Sequence, residues 1–157
     1  MSEKTLRLLD FTKEFLLPVL AHCGGIIQEM QAGSLSKDSA KKLMDFIKEG
    51  DIGRMFAVAQ YACQMQKGNP VRNWGIETLK LVAVDLFRSN RVGELEKFQE
   101  AAEFFFEKHP EVLEIWHKTV FELEKDRQNH INSIPEELRE MFGYDANDAA
   151  DMDGGPS

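Results

Sequence analysis

The residues that come closest to a catalytic or metal-binding pattern are Glu114 and His117. Their Glu-x-x-His spacing puts a carboxylate and an imidazole on one face of a helix, as in helical bundles that hold two iron ions. A complete centre needs a second copy of the motif, and neither His109 nor His130 has a carboxylate three residues upstream. We therefore predict no metal and no cofactor, and we keep a helical enzyme with a carboxylate-histidine metal site as an alternative.

The thiols give no sign of nucleophilic catalysis. His22 and Cys23 are neighbours, and adjacent side chains on a helix point about 100° apart, so the imidazole is badly placed to deprotonate the thiol. Cys63 follows Ala59 and Ala62 and is typical of a small buried hydrophobic residue. Because the chain also lacks Gly-x-Ser-x-Gly and His-Glu-x-x-His motifs, we predict that it is not an enzyme. Two cysteines without a Cys-x-x-Cys pair favour a reducing, cytoplasmic location.

The remaining signals describe a surface. Six glutamates follow one another at intervals of three or four residues, namely Glu96, Glu100, Glu103, Glu107, Glu111 and Glu114. If their helices were coaxial, the carboxylates would form one stripe, and like charges at this spacing destabilise a helix by a few tenths of a kcal/mol each. We interpret the stripe as a binding surface for a basic partner or as an acidic decoy that blocks a nucleic-acid-binding protein; an ordinary solvated face is the structural alternative.

Aromatic residues supply a possible centre for such a surface. The run from Phe104 to Phe106 spans about 200° of a helix, so its three rings cannot all face one core. We predict recognition of another protein through a helix face with an aromatic centre and an acidic rim, in the manner of an adaptor, chaperone or inhibitor. The predicted partner-binding residues are Trp74, Glu100, Glu103, Phe104, Phe106 and Glu107. Two roles are open for the methionines, which either fill the core or form an adaptable groove: Met30, Met44, Met55 and Met65.

Charge is unevenly distributed along the chain. The net charge is −8, but residues 1–92 carry 13 basic and 10 acidic residues, whereas residues 93–143 carry 6 basic and 13 acidic ones. The overall acidity argues against direct binding to nucleic acid, which requires clustered basic residues. Lys37, Lys41, Lys42 and Lys48 form a lysine patch in the more basic part of the chain. If this patch paired with the acidic part of a second copy, the protein would form a homo-oligomer.

Composition predicts an all-α fold. β-Branched residues are sparse, whereas Leu, Glu, Lys, Phe and Met are plentiful, which favours helices over strands. The length of 157 residues fits a single domain. We expect six or seven helices over residues 1–143, as a bundle or as short stacked hairpins, followed by a flexible acidic tail over residues 144–157.

Local signals predict where the central helices begin and end. Ser36 is a helix N-cap, and Gly50 is expected to end that helix in the left-handed conformation. Asp51 then caps the next helix, and Asn69 with Pro70 begins another. Residues 79–87 alternate partly like a strand, but we predict a buried helix there.

The first helix has an apolar periodicity that is carried by Leu6, Leu9, Phe11, Phe15, Leu16, Val19 and Leu20. Pro18 should kink it, and Gly24 with Gly25 provides a break or a close helix contact. The apolar run over residues 15–27 looks like a signal peptide, but we interpret it as a core helix that is too short to span a membrane.

Overall fold

The structure, a computed structural model, describes residues 2–141, and this part of the chain is all-α, without strands. The helices are α1 (Glu3–Phe11), α2 (Leu17–Ala32), α3 (Lys37–Glu49), α4 (Ile52–Cys63), α5 (Pro70–Arg88), α6 (Leu95–Phe105), α7 (Pro110–Ser133) and α8 (Glu136–Met141). A π-helical turn, Thr12–Leu16, joins α1 to α2 without a break, so the two count as one helix and the described residues hold seven. The predicted tail, 144–157, lies outside the described residues.

The predicted helix starts are confirmed by their capping hydrogen bonds. Ser36 Oγ accepts from the Ser39 backbone N–H, and Asp51 and Asn69 each accept from the backbone N–H two residues later. Gly50 differs from the prediction, because its φ of −107° and ψ of −171° are extended rather than left-handed. Glycine serves there by leaving room for the Arg54 side chain, which donates to the Phe46 carbonyl at 2.9 Å; a Cβ on Gly50 would lie 2.4 Å from Arg54 Nε.

Pro18 is accommodated by the π-helical turn just before it. A proline inside a helix lacks an N–H and its ring crowds the carbonyl four residues back. Here the Leu17 N–H donates to the Thr12 carbonyl, five residues back instead of four. The turn therefore holds one extra residue, which shifts the backbone hydrogen-bonding pattern just before the proline. Farther along, Cys23 leaves helical geometry at φ −127° and ψ 18°, directly before Gly24. The predicted break in this helix therefore lies at Cys23.

The N-terminal helix divides its apolar residues between two faces. Phe11 and Phe15 are buried, and the Phe11 ring packs edge-on against Phe56 of α4 and Phe98 of α6 at centroid distances of 5.5 and 5.6 Å. Such edge-to-face pairs contribute about 1 kcal/mol beyond their buried area. Other apolar positions of the same helix face solvent, namely Leu6, Leu9, Leu17 and Leu20. The apolar residues whose periodicity predicted this helix are therefore divided between its buried and its exposed sides.

Helix α4 is the buried centre of this part of the chain. Nine of its twelve residues are buried, and several are alanine or glycine, so a neighbouring backbone can approach closely. Gly75 of α5 makes that approach: a Cβ built on it would lie 2.6 Å from Ala62 Cβ and 2.8 Å from the Cys63 backbone nitrogen. Residues 79–87 of α5 are helical, as predicted, and contribute Leu79, Val82, Ala83 and Leu86 to the core.

The chain divides into two compact units, residues 1–116 and residues 117–157, with the boundary inside α7. The surfaces described below belong to the first unit. The predicted single domain over residues 1–143 stays a prediction.

Replacing Gly75 with Ala should destabilise the protein by about 2 kcal/mol or more, because overpacking against backbone cannot be relieved by a rotamer change. The matched control is Gly25→Ala, where a Cβ would meet no atom within 4 Å and where alanine should stabilise the helix by about 0.5 to 1 kcal/mol. Urea unfolding followed by circular dichroism measures both. Equal effects of the two variants would contradict the close approach of α5 to α4.

Candidate protein-binding groove

The structure separates the residues that the sequence suggested as one binding site. Trp74 is half-buried on α5 and lines a groove with residues of α3 and of the preceding loop, none of which belongs to α6. Glu103 and Phe104 lie on α6, and Glu107 lies just beyond its end. The aromatic centre that was predicted from Trp74 together with the phenylalanines is therefore not formed.

Phe106 is a core residue, which corrects its prediction as a partner-binding residue. Helix α6 ends at Phe105, and the Phe106 N–H closes the last turn by donating to the Ala102 carbonyl at 2.9 Å. Its side chain is fully buried, whereas Phe104 is 54% exposed and packs edge-on against the Phe105 ring at 5.1 Å. The inference that the three rings cannot share one core is confirmed, but only Phe104 presents a large aromatic surface to solvent.

The glutamate stripe is interrupted and partly neutralised. Residues 106–109 separate α6 from α7, so the stripe does not follow one continuous helix. Arg7 donates two hydrogen bonds to the Glu100 carboxylate, at 2.6 and 2.9 Å, and these bonds lower the pKa of Glu100. Arg72 pairs with Glu111 at 2.8 Å. Glu100 therefore acts within the fold, as a tie between α1 and α6, and is not free to recognise a partner as predicted.

Two of the predicted acidic residues stay on the surface beside Phe104. Glu103 is exposed and accepts a hydrogen bond from Gln99 Nε2 at 3.1 Å, while Gln99 Oε1 accepts from the buried indole of Trp116 at 2.7 Å. Glu107 is also exposed. We call Glu103, Phe104 and Glu107 the Phe104 patch, which is the remnant of the predicted acidic-aromatic site.

Trp74 lies in a concave groove. It has a volume of about 350 Å³ and is almost entirely apolar. Its walls come from the loop after α2, from α3 and from the first turns of α5: Gly33, Leu35, Ala40, Leu43, Met44, Pro70, Val71 and Trp74. We call this feature the α3–α5 groove. Met44 is 42% exposed there, so a flexible thioether and an indole face the same open space.

Hydrogen bonds hold the walls of the groove in place. The Glu29 carboxylate of α2 accepts from the Ser36 backbone N–H at 3.0 Å and from the Ser39 hydroxyl. These bonds, with that of Ser39 first, lower the pKa of Glu29. Asn69 donates from its amide nitrogen to the Met30 carbonyl at 2.8 Å, and its amide oxygen caps α5. The loop over residues 33–36 is thus fastened to α2, and the end of α2 is fastened to the start of α5.

The exposed side of α3 next to Met44 carries lysines. Helical spacing places Lys37, Lys41 and Lys48 on the same side of α3 as Met44, whereas Asp38, Asp45 and Glu49 lie farther round the helix. All three lysines are exposed, and within residues 2–141 none of them has an ion pair. None of them lines the groove itself, and Lys41 lines a separate cleft together with Asp38 and Asp45.

Neither thiol has the environment of a reactive nucleophile. Burial raises the pKa of the Cys63 thiol to about 12, and burial also raises the pKa of Cys23. His22 is exposed and lies beside the Phe46 ring at 5.6 Å. Within residues 2–141, no three or more His, Cys, Asp and Glu side chains come close enough together to hold a metal ion.

No protein-family model, no curated protein and no solved structure matches this chain. No helix within residues 2–141 is both long enough and apolar enough to cross a membrane.

Sequence reasoning missed most of the groove. Leu35 was assigned to a polar turn, and Leu43 was assigned to the inner stripe of α3 without a role at the surface. The signal that could have found the groove is Leu35 itself, a large apolar residue that is flanked by serines in an otherwise polar loop.

Glu29→Gln should loosen the loop and the first turn of α3. A pKa that is lowered in the folded state means that the carboxylate stabilises the fold above its ordinary pKa, and that this contribution is lost as the pH falls through the lowered value. Amide hydrogen exchange at residues 36–40 should therefore be faster in the variant at neutral pH and equal to the wild type in acid. Glu49→Gln, at the other end of α3, is the control, and unchanged exchange in Glu29→Gln would refute the tether.

Proposed function

We propose that the protein is a non-enzymatic interaction module that binds a segment of another protein in the α3–α5 groove. The bound segment has one apolar anchor side chain and acidic residues next to it. The observation that carries this proposal is the groove: a preformed, apolar concavity that contains a half-buried tryptophan.

The size and lining of the groove fit a single anchor side chain. A volume of about 350 Å³ lies at the lower end of the range of small-molecule and side-chain pockets. Residues that carry most of the affinity in protein interfaces are commonly Trp, Tyr and Arg in well-packed central pockets. Trp74 can contribute a large apolar area at small cost in conformational entropy, and the Met44 side chain can adapt to the shape of the anchor.

The lysines of α3 favour acidic residues in the bound segment. Helical spacing puts Lys37, Lys41 and Lys48 on the side of α3 that carries Met44, so acidic residues beside the anchor would face them. The charged residues on this side of α3 are therefore basic, whereas the sequence predicted an acidic rim around Phe104. A basic partner at the Phe104 patch, or an acidic decoy for a nucleic-acid-binding protein, has less support, because Glu100 is paired with Arg7 and Phe106 is buried.

A cytoplasmic location belongs to the same proposal. Its support is that both thiols, Cys23 and Cys63, are free and buried, as suits a reducing compartment.

The test is selection of peptides from a random display library against the purified full-length chain, followed by affinity measurement with fluorescence anisotropy. We expect enriched peptides to share one large aliphatic or aromatic residue flanked by Asp or Glu. Trp74→Ala should weaken their binding by about tenfold or more, because it removes the anchor contact. Phe104→Ser is the matched control, an exposed aromatic outside the groove, and should leave affinity unchanged.

Charge reversal tests the second half of the proposal. Lys41→Glu should weaken the selected peptides at low salt and reduce their salt dependence, whereas Lys80→Glu, on α5 away from the groove, should have little effect. The proposal fails if no peptide is selected, if selected peptides bind Trp74→Ala as tightly as the wild type, or if the consensus is basic and Phe104→Ser abolishes binding.

A further inference from the structure

The end of the chain contains the kind of segment that the α3–α5 groove is expected to bind. Residues 145–157 contain one large apolar residue, Met152, and Asp151 and Asp153 lie directly on either side of it. Apart from one proline, the other residues of this stretch are small or polar. The stretch therefore offers a single apolar anchor with acidic neighbours, which is the ligand that the proposed function assigns to the groove.

On the basis of that function, we propose that residues 151–153 occupy the α3–α5 groove of the same copy, with Met152 as the anchor, so that a foreign segment must displace them. The chemistry of the two sides fits. A methionine side chain is unbranched and adaptable, and its sulfur makes favourable contacts with aromatic rings. Trp74 and Met44 line the groove, so the anchor would lie against an indole and a second thioether.

The chain after α8 is long enough for this contact. Met141 is the last residue of α8, and Met152 follows it by eleven residues. Eleven extended residues span about 37 Å. A compact unit of 116 residues, the size of the first unit, is about 35 Å across. The segment therefore has the length to carry its anchor across the unit that contains the groove.

Charge favours the groove over the other exposed aromatic surface. Residues 145–153 contain four aspartates and no basic residue. The lysines on the Met44 side of α3 are exposed and have no ion pair within residues 2–141, so they attract these carboxylates at short range. The Phe104 patch has two glutamates beside its ring and repels them.

Attachment to the same chain makes a weak contact sufficient. A segment on a short linker meets its own groove at an effective concentration of about 1 mM. With a dissociation constant of about 0.1 mM for a segment with one anchor, the groove is occupied about nine-tenths of the time. A foreign segment then binds about tenfold more weakly than it would bind an open groove. The end of the chain thus acts as an autoinhibitory ligand.

Acrylamide quenching of tryptophan fluorescence tests the contact without a foreign ligand. The chain has two tryptophans, and because Trp116 is 1% exposed, a change in quenching reports on Trp74. In the full-length chain, Met152→Ser should raise the quenching constant by about twofold or more, because the open fraction of the groove rises from about one-tenth to about one-half when the anchor contact weakens tenfold. Tyr144→Ser, an aromatic residue of the same end of the chain, is the control and should leave quenching unchanged.

A second pair of variants tests the acidic neighbours at equal net charge. Asp151→Asn/Asp153→Asn should raise the quenching constant at low salt, whereas Asp145→Asn/Asp148→Asn, which removes the same charge farther from the anchor, should change it less. Peptides selected from the display library should bind the Met152→Ser chain about fivefold more tightly than the wild type, because their competitor is weakened. Circular dichroism verifies that each variant is folded.

Three results would overturn the proposal: equal quenching of the wild type and Met152→Ser, a larger effect of Tyr144→Ser than of Met152→Ser, or wild-type quenching that falls as the chain concentration rises. The last result would show that the end of a second copy fills the groove. Selected peptides that bind the wild type and Met152→Ser equally tightly would refute the autoinhibitory segment and leave the proposed function standing. Failure to select any peptide, even against the Met152→Ser chain, would instead refute the proposed function.

Discussion

The close approach of α5 to α4 is the constraint on which the rest of the first unit depends. The side of α5 that carries Gly75 faces the backbone of α4 at Ala62 and Cys63. This contact fixes how α5 is rotated about its own axis. Adjacent side chains on a helix differ by about 100° in direction, and Trp74 must therefore lie to the side of the contact. The indole cannot enter the core while Gly75 occupies this position. Trp74 therefore lies on the wall of the α3–α5 groove because the backbones of α4 and α5 are in close contact at Gly75.

The other side of α4 imposes a similar constraint on the N-terminal helix. Phe15, in the π-helical turn, packs so closely over Gly53 that no side chain fits there. Phe11 and Phe15 together occupy the side of the helix that faces α4 and α6. Since these large rings fill the inner side of the helix, Leu6, Leu9, Leu17 and Leu20 stay exposed on its other side. The exposed leucines and the aromatic core are therefore two results of one packing arrangement.

The features that sequence predicted well are those with local causes. Ser36, Asp51 and Asn69 each cap a helix through a backbone amide two or three residues away, so the sequence carries the complete signal. Glu100 was misjudged because its partner, Arg7, lies 93 residues away in the chain. Phe106 was misjudged because its direction depends on how the chain leaves α6, which helical periodicity does not describe. Gly50 was misjudged because its place in the fold is next to the Arg54 side chain, a contact that a helix-end signal does not describe.

Charge acts on a segment in the α3–α5 groove only at short range. In physiological salt the Debye length is about 8 Å, so the net charge of −8 has little effect on an acidic segment that is farther away than this. The lysines of α3 act only within that distance, so they orient a segment that has already arrived and do not attract it from afar. Affinity in the groove must then come mainly from the apolar anchor against Trp74.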